Sequence, residues 1–135
     1  IVAGATLALA GSGSVAGNIT DSGTLLFNRS MTFTNVVSGI GGLQVNGGNT
    51  VVLTGASTYT GVTTVSGTLQ IGAGGTTGSI TVAPTVNAGG TLAYNRSDDL
   101  VITNAAFNGT GSVVQKGSGK MTIAVAGCVA QAEGD

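Results

Sequence analysis

Short runs in which apolar and polar residues alternate recur along this chain. They include Thr24-Leu-Leu-Phe27, Leu43-Gln-Val45, Thr50-Val-Val-Leu53 and Thr68-Leu-Gln-Ile71. They continue with Ser79-Ile-Thr-Val82, Thr91-Leu-Ala-Tyr94, Leu100-Val-Ile102 and Met121-Thr-Ile123. Each is bounded by Gly, Asn, Ser or Asp, the residues of turns. A period of two over so few residues predicts short strands, not helices. Gly, Thr, Val and Ser dominate the sequence, and all four disfavour helix interiors.

The runs are ordered. A Gly/Ala-Thr-Leu-x-apolar unit occurs at Ala5-Thr-Leu-Ala-Leu9, Gly23-Thr-Leu-Leu-Phe27, Gly67-Thr-Leu-Gln-Ile71 and Gly90-Thr-Leu-Ala-Tyr94. Its leucines stand at 7, 25, 69 and 92, with gaps of 18, 44 and 23 residues, near multiples of about 20. A longer self-match aligns Gly23-Thr-Leu-Leu-Phe-Asn-Arg-Ser30 with Gly90-Thr-Leu-Ala-Tyr-Asn-Arg-Ser97. Several small strands per repeat of this length predict an all-β solenoid, each coil laid on the one before at about 4.8 Å. Leu, Val, Ile and the few aromatics should point inward and stack. Thr and Ser should form outer ladders, and Gly and Asn the corners. Six or seven coils would make a rod roughly 30 Å long.

Composition narrows the function. The 135 residues carry 7% charged side chains, no His and a net charge of −1. A nucleic-acid binder would need a basic stripe, which four Lys and Arg cannot make. Without His, the commonest acid–base and metal-ligating group is missing. One cysteine, Cys128, has no partner for an internal disulfide, and no 18-residue apolar run predicts a membrane span. The apolar opening Ile1–Ala10 reads as a strand, since it lacks the basic start of a signal peptide.

Residues 41–72 resemble the autotransporter-associated β-strand repeat of Gram-negative passenger domains. Thr58-Tyr-Thr-Gly61, Thr63-Thr-Val65 and Gly67-Thr-Leu69 follow the order of that repeat, with Ser57 and Val62 departing from the usual Asn and Gly. A partial second copy spans Gly111–Ile123, including Lys116-Gly-x-Gly119. The resemblance implies a right-handed parallel β-helix, secretion and a place on the bacterial cell surface or outside the cell. It implies no particular activity.

Candidate chemistry is sparse. Arg96 with Asp98 and Asp99 is the densest charge cluster and reads either as a calcium or sugar site or as a solvated turn. Asp21 stands alone and reads as a corner residue. Glycoside hydrolysis needs two carboxyls facing across a cleft, and nothing in the spacing brings Asp21 to Asp98 or Asp99. Tyr59 and Tyr94 read as sugar-stacking platforms or as packed core residues. Cys128 reads as an inter-chain link or as a small apolar residue. Asn18, Asn28, Asn95 and Asn108 begin Asn-x-Ser/Thr sites and also suit turns. The Gly72–Gly78 stretch lacks the Lys of a phosphate loop.

The sequence thus predicts solenoid repeats over 1–127 and a non-repeat tail over 128–135. We expect no enzyme, and no catalytic residue, cofactor or metal. The expected role is a secreted or surface structural and adhesive rod that meets a host surface or a glycan. The alternative is a fibre subunit associating end to end through open strand edges. No nucleic acid is expected as partner.

Overall fold

A computed structural model describes residues 1–103 and 107–124, and over these the chain is entirely β. Coil one contributes β1 (Thr6–Leu9) and β2 (Ile19–Asp21). Coil two holds β3 (Thr24–Phe27), β4 (Met31–Phe33) and β5 (Val37–Gly39). Coil three holds β6 (Gly42–Val45) and β7 (Thr50–Leu53), and coil four β8 (Thr63–Val65) and β9 (Thr68–Ile71). Coil five holds β10 (Thr85–Val86), β11 (Thr91–Tyr94) and β12 (Leu100–Thr103). Coil six holds β13 (Asn108–Gly109), β14 (Ser112–Gln115) and β15 (Met121–Ala124).

Every pairing is parallel and joins one coil to the next. The first face is a six-stranded sheet, β1-β3-β6-β8-β10-β13. The second is β4-β7-β9-β11-β14. The third is interrupted: β2 pairs with β5 at one end and β12 with β15 at the other. The predicted parallel β-solenoid is therefore the observed fold, with about six coils among the described residues.

Burial alternates along β2, β3, β6, β7 and β8, so one side of each face lines a shared interior. On the first face Leu9, Phe27, Val45, Val65 and Val86 occupy one inward row, all of them buried. On the second face Val51, Leu69 and Leu92 form one inward row, and Phe33, Leu53, Ile71 and Tyr94 another. Phe27 and Phe33 meet edge to face across coil two, with ring centroids 5.6 Å apart. The interior is one continuous cluster of mostly aliphatic side chains.

The corners are built from backbone. Beyond the first face, Asn28, Asn46, Ser66 and Asn87 each donate their N–H to the carbonyl ending the strand below. Their side chains extend the stack outward: Asn46 Nδ2 donates to Asn28 Oδ1 at 3.0 Å, and Asn87 Nδ2 to Ser66 Oγ at 2.9 Å. Before the first face, Gly61 lies against Gly41, where an added Cβ would meet the Gly41 carbonyl oxygen at 2.2 Å.

One expectation from the repeats needs correction. The Thr-Leu units at Leu7 and Leu25 lie on the first face, whereas those at Leu69 and Leu92 lie on the second. Leu25 stacks under Leu43 and then Thr63, and Leu69 comes six residues past Thr63. The gap of 44 is therefore two coils plus a step of one face. Likewise Gly23–Ser30 and Gly90–Ser97 match in sequence without occupying equivalent faces. The unit marks a strand leaving a tight corner, and the solenoid has more than one such corner per coil.

Candidate functional site

Arg96 follows β11 at the corner leading to the third face. Its Nε and Nη2 donate to Asp98 Oδ1 and Oδ2 at 2.9 and 2.7 Å, and its Nη1 donates to the Gly78 carbonyl at 2.7 Å. This two-pronged pairing is the geometry for which guanidinium and carboxylate are shaped. The hydrogen bonds from Arg96 hold the Asp98 carboxyl below the usual carboxylate range, and the same pairing raises Arg96. Asp99 Oδ1 accepts the Lys120 N–H at 2.9 Å. The charge cluster thus ties coil four to coil five through Gly78, and coil five to coil six through Lys120. The cluster forms a bend whose charged groups bind other parts of the chain.

Asp21 ends β2 at a corner, as its isolation in the sequence suggested, but it is wholly buried. Oδ1 accepts the Gly23 N–H at 2.8 Å, and Oδ2 has no partner among the described residues. The carboxyl fills the space left by Gly41, where a Cβ would come within 2.3 Å of Asp21 Cγ. The sequence carried one sign of this burial, the absence of a side chain at Gly41 one coil on. Asp21 and the Asp98–Asp99 turn sit on coils one and five and do not meet.

Both tyrosines point inward. Tyr59 is 0% and Tyr94 6% exposed, so neither offers a ring face to a sugar. Burial pushes the Tyr59 phenol up to about 12, partly offset by its hydrogen bond to Thr63. Burial also raises Tyr94. Asn18 and Asn28 use their Oδ1 atoms to bind Val36 N–H and Asn46 Nδ2. Cys128 and the 128–135 tail lie outside the described residues.

The least regular part of the wall is the third face between coils four and five. The expected strand Ser79–Val82 is reduced to one bridge, Ser79 to Ala56. No ladder joins it to β12. A cleft of about 230 Å³ opens there. Ile80, Val82, Leu100 and Ile102 form its sides, Ile71 and Tyr94 line it from the second face, and Arg96 also borders it. Sequence reasoning missed this feature. The available signal was Pro84, which supplies no backbone donor and restricts Ala83 before it.

No protein-family model, curated protein or solved structure matches this chain. Among the described residues, no group of three or more Cys, Asp or Glu side chains is placed to hold a metal ion. No helix there is long and apolar enough to cross a membrane.

Proposed function

We propose that this chain is a non-enzymatic structural and adhesive module, a β-solenoid rod that works at the bacterial surface or outside the cell. The observation that carries this reading is how the polar groups are divided. Arg29, Arg96, Asp98, Asp99, Lys116 and Asp21 each bind a group of the chain itself. Outward positions on several strands are instead neutral hydroxyls and amides, such as Thr20, Thr32 and Gln44, all exposed. Such a surface offers many weak hydrogen bonds and little charge, which suits a glycan or another neutral polar surface. The likeness of residues 41–72 to the autotransporter-associated repeat supports the same location.

The test is to display the chain on a non-adherent bacterium and count cells retained on immobilised glycans and on epithelial matrix. Retention that falls when Thr20, Thr32 and Gln44 are changed together to Glu, with the β-structure intact, is the expected result. Equal retention by cells without the chain would overturn the adhesive reading. Turnover of any glycan by the purified chain would overturn the non-enzymatic one.

End-to-end self-association remains the second reading. It draws on β1, whose outer edge has no strand partner among the described residues, and on Leu7, 36% exposed there. A molar mass that rises with concentration in light scattering would favour it.

A further inference from the structure

We propose that the split in the third face is an acceptor slot for one extended, uncharged peptide strand with an aliphatic side chain at its centre. This inference does not depend on the adhesive reading. It starts from the direction of peptide groups. The Ser79 N–H donates to the Gly55 carbonyl, and the Ser79 carbonyl accepts from Ser57, so Ser79 spends both groups on coil three. Ile80, the next residue, spends neither peptide group on coil three. Across the cleft, the Leu100 N–H donates to the Lys120 carbonyl on coil six. Successive residues of a strand direct their peptide groups to opposite sides, so those of Val101 in β12 face coil four. Ile80 and Val101 make no backbone hydrogen bond to each other or across the cleft among the described residues. Unpaired peptide groups of Ile80 and Val101 thus border one space without a strand between them.

A second, independent feature lies on the floor. Tyr94 lines the cleft and is 6% exposed, so its ring gives the slot an aromatic floor.

The shape and charge select the guest. The walls are aliphatic, and about 230 Å³ exceeds the roughly 150 Å³ cavity that accepts benzene, leaving room for one aliphatic side chain and its peptide unit. Arg96 and Asp98 neutralise each other at the rim, so a neutral segment matches the slot best. Unpaired edges on both walls would give the main-chain bonds of strand addition, and the aliphatic pocket would choose the side chain.

The probe is the capped peptide acetyl-Thr-Val-Leu-Thr-Ser-amide, titrated into the isotope-labelled chain by NMR. Shifts centred on Ile80, Val101 and Tyr94 are expected, with amide exchange at Ile80 and Val101 slowed at least tenfold. Methylating the peptide's central amide nitrogen should weaken binding about tenfold, the effect of losing one well-made hydrogen bond. Val101→Pro, which removes a slot-facing donor, should weaken it similarly while β12 still pairs with β15. Protected Ile80 and Val101 amides in the free chain would overturn the slot. So would the absence of shifts at any soluble peptide concentration, or equal binding of the methylated peptide.

Discussion

Tyr59 Oη and Thr63 Oγ1 lie 2.7 Å apart inside the solenoid, both side chains fully buried. Thr63 occupies the inward row that Leu25 and Leu43 fill in the coils before it. A hydroxyl in that row is explained by the phenol it meets. Gly61, between them, passes so close to Gly41 that no side chain fits. The spacing Tyr59, Gly61, Thr63 is therefore one device, an anchor, a tight corner and the anchor's hydrogen-bond partner. Thr63→Val should leave the phenol unpartnered and lower stability by about 1–3 kcal/mol in urea unfolding. Tyr59→Phe combined with Thr63→Val should recover much of that loss. Equal and additive losses would show that the pair is not coupled.

The same tyrosine sets an alkaline limit. Its phenol ionises near 10 when unfolded and is pushed up to about 12 in the fold. Above pH 10 the unfolded chain releases this proton while the folded chain keeps it, so stability falls with rising pH. The contribution is full below pH 10 and lost by about pH 12, amounting to about 2–3 kcal/mol. Burial raises Tyr94 as well, which adds to the fall in the same direction. Chemical unfolding at a series of pH values should show this slope in the wild type and a shallower one in Tyr59→Phe. An unchanged slope in the variant would assign the alkaline loss elsewhere.

Much of the fold was legible because an inward row demands alternation. The alternating runs Thr24–Phe27, Thr50–Leu53, Thr68–Ile71 and Thr91–Tyr94 are strands with those bounds. Elements of two or three residues, such as β2 and β10, are too short to display a period, and their register comes from the coils around them. Face assignment was not legible either. The Thr-Leu unit suits any strand after a glycine corner, so its spacing could not distinguish one face of the next coil from another. The Arg96 turn was visible as a cluster of charge, but its tie to Gly78 depends on stacking of coils 18 residues apart. The cleft was hidden because Ser79–Val82 has the alternation of a strand but pairs only at Ser79.

Two glycines should respond differently to substitution. At Gly61 a Cβ would clash with the backbone of Gly41 and Gly42, which cannot yield as a side chain would. Gly61→Ala should cost about 3 kcal/mol or more, in the range of severe overpacking. Gly48 has φ of +78° and open space around it, so conformation alone favours glycine there. Asn tolerates that region, and Gly48→Asn should cost no more than about 1 kcal/mol. Thermal melts of the two variants would separate a steric requirement from a conformational one.

Acid should loosen the tie between coils four and five. Pairing with Arg96 lowers the Asp98 carboxyl, so the folded chain keeps this charge to lower pH than the unfolded chain does. The contribution is present above the ordinary carboxylate range and is lost as pH falls through the folded value. Carbon-detected NMR should find Asp98 titrating below a model aspartate. Arg96→Lys should move it back toward that model, because an ammonium cannot reproduce the two-pronged contact. An Asp98 titration untouched by Arg96→Lys would mean that the pair does not persist in solution.

The amide stack at the first corner is incomplete, and completing it should stabilise the rod. Asn46 donates to Asn28, and Asn87 donates to Ser66, but the serine hydroxyl is too short to carry the amide chain from Asn46 to Asn87. An asparagine at this position would keep an acceptor for Asn87 Nδ2 and present its own amide to Asn46 Oδ1. The backbone already suits the change, since Ser66, like Asn46 and Asn87, donates its N–H to the carbonyl of the coil below. Ser66→Asn should therefore add about 0.5–1 kcal/mol, the net worth of one further hydrogen bond at a partly exposed site. Because each coil touches only its neighbours, the gain should appear first as slower amide exchange in β8 and β10. Faster exchange there would mean that the longer side chain cannot enter the stack, and that the serine marks a tighter corner than its neighbours.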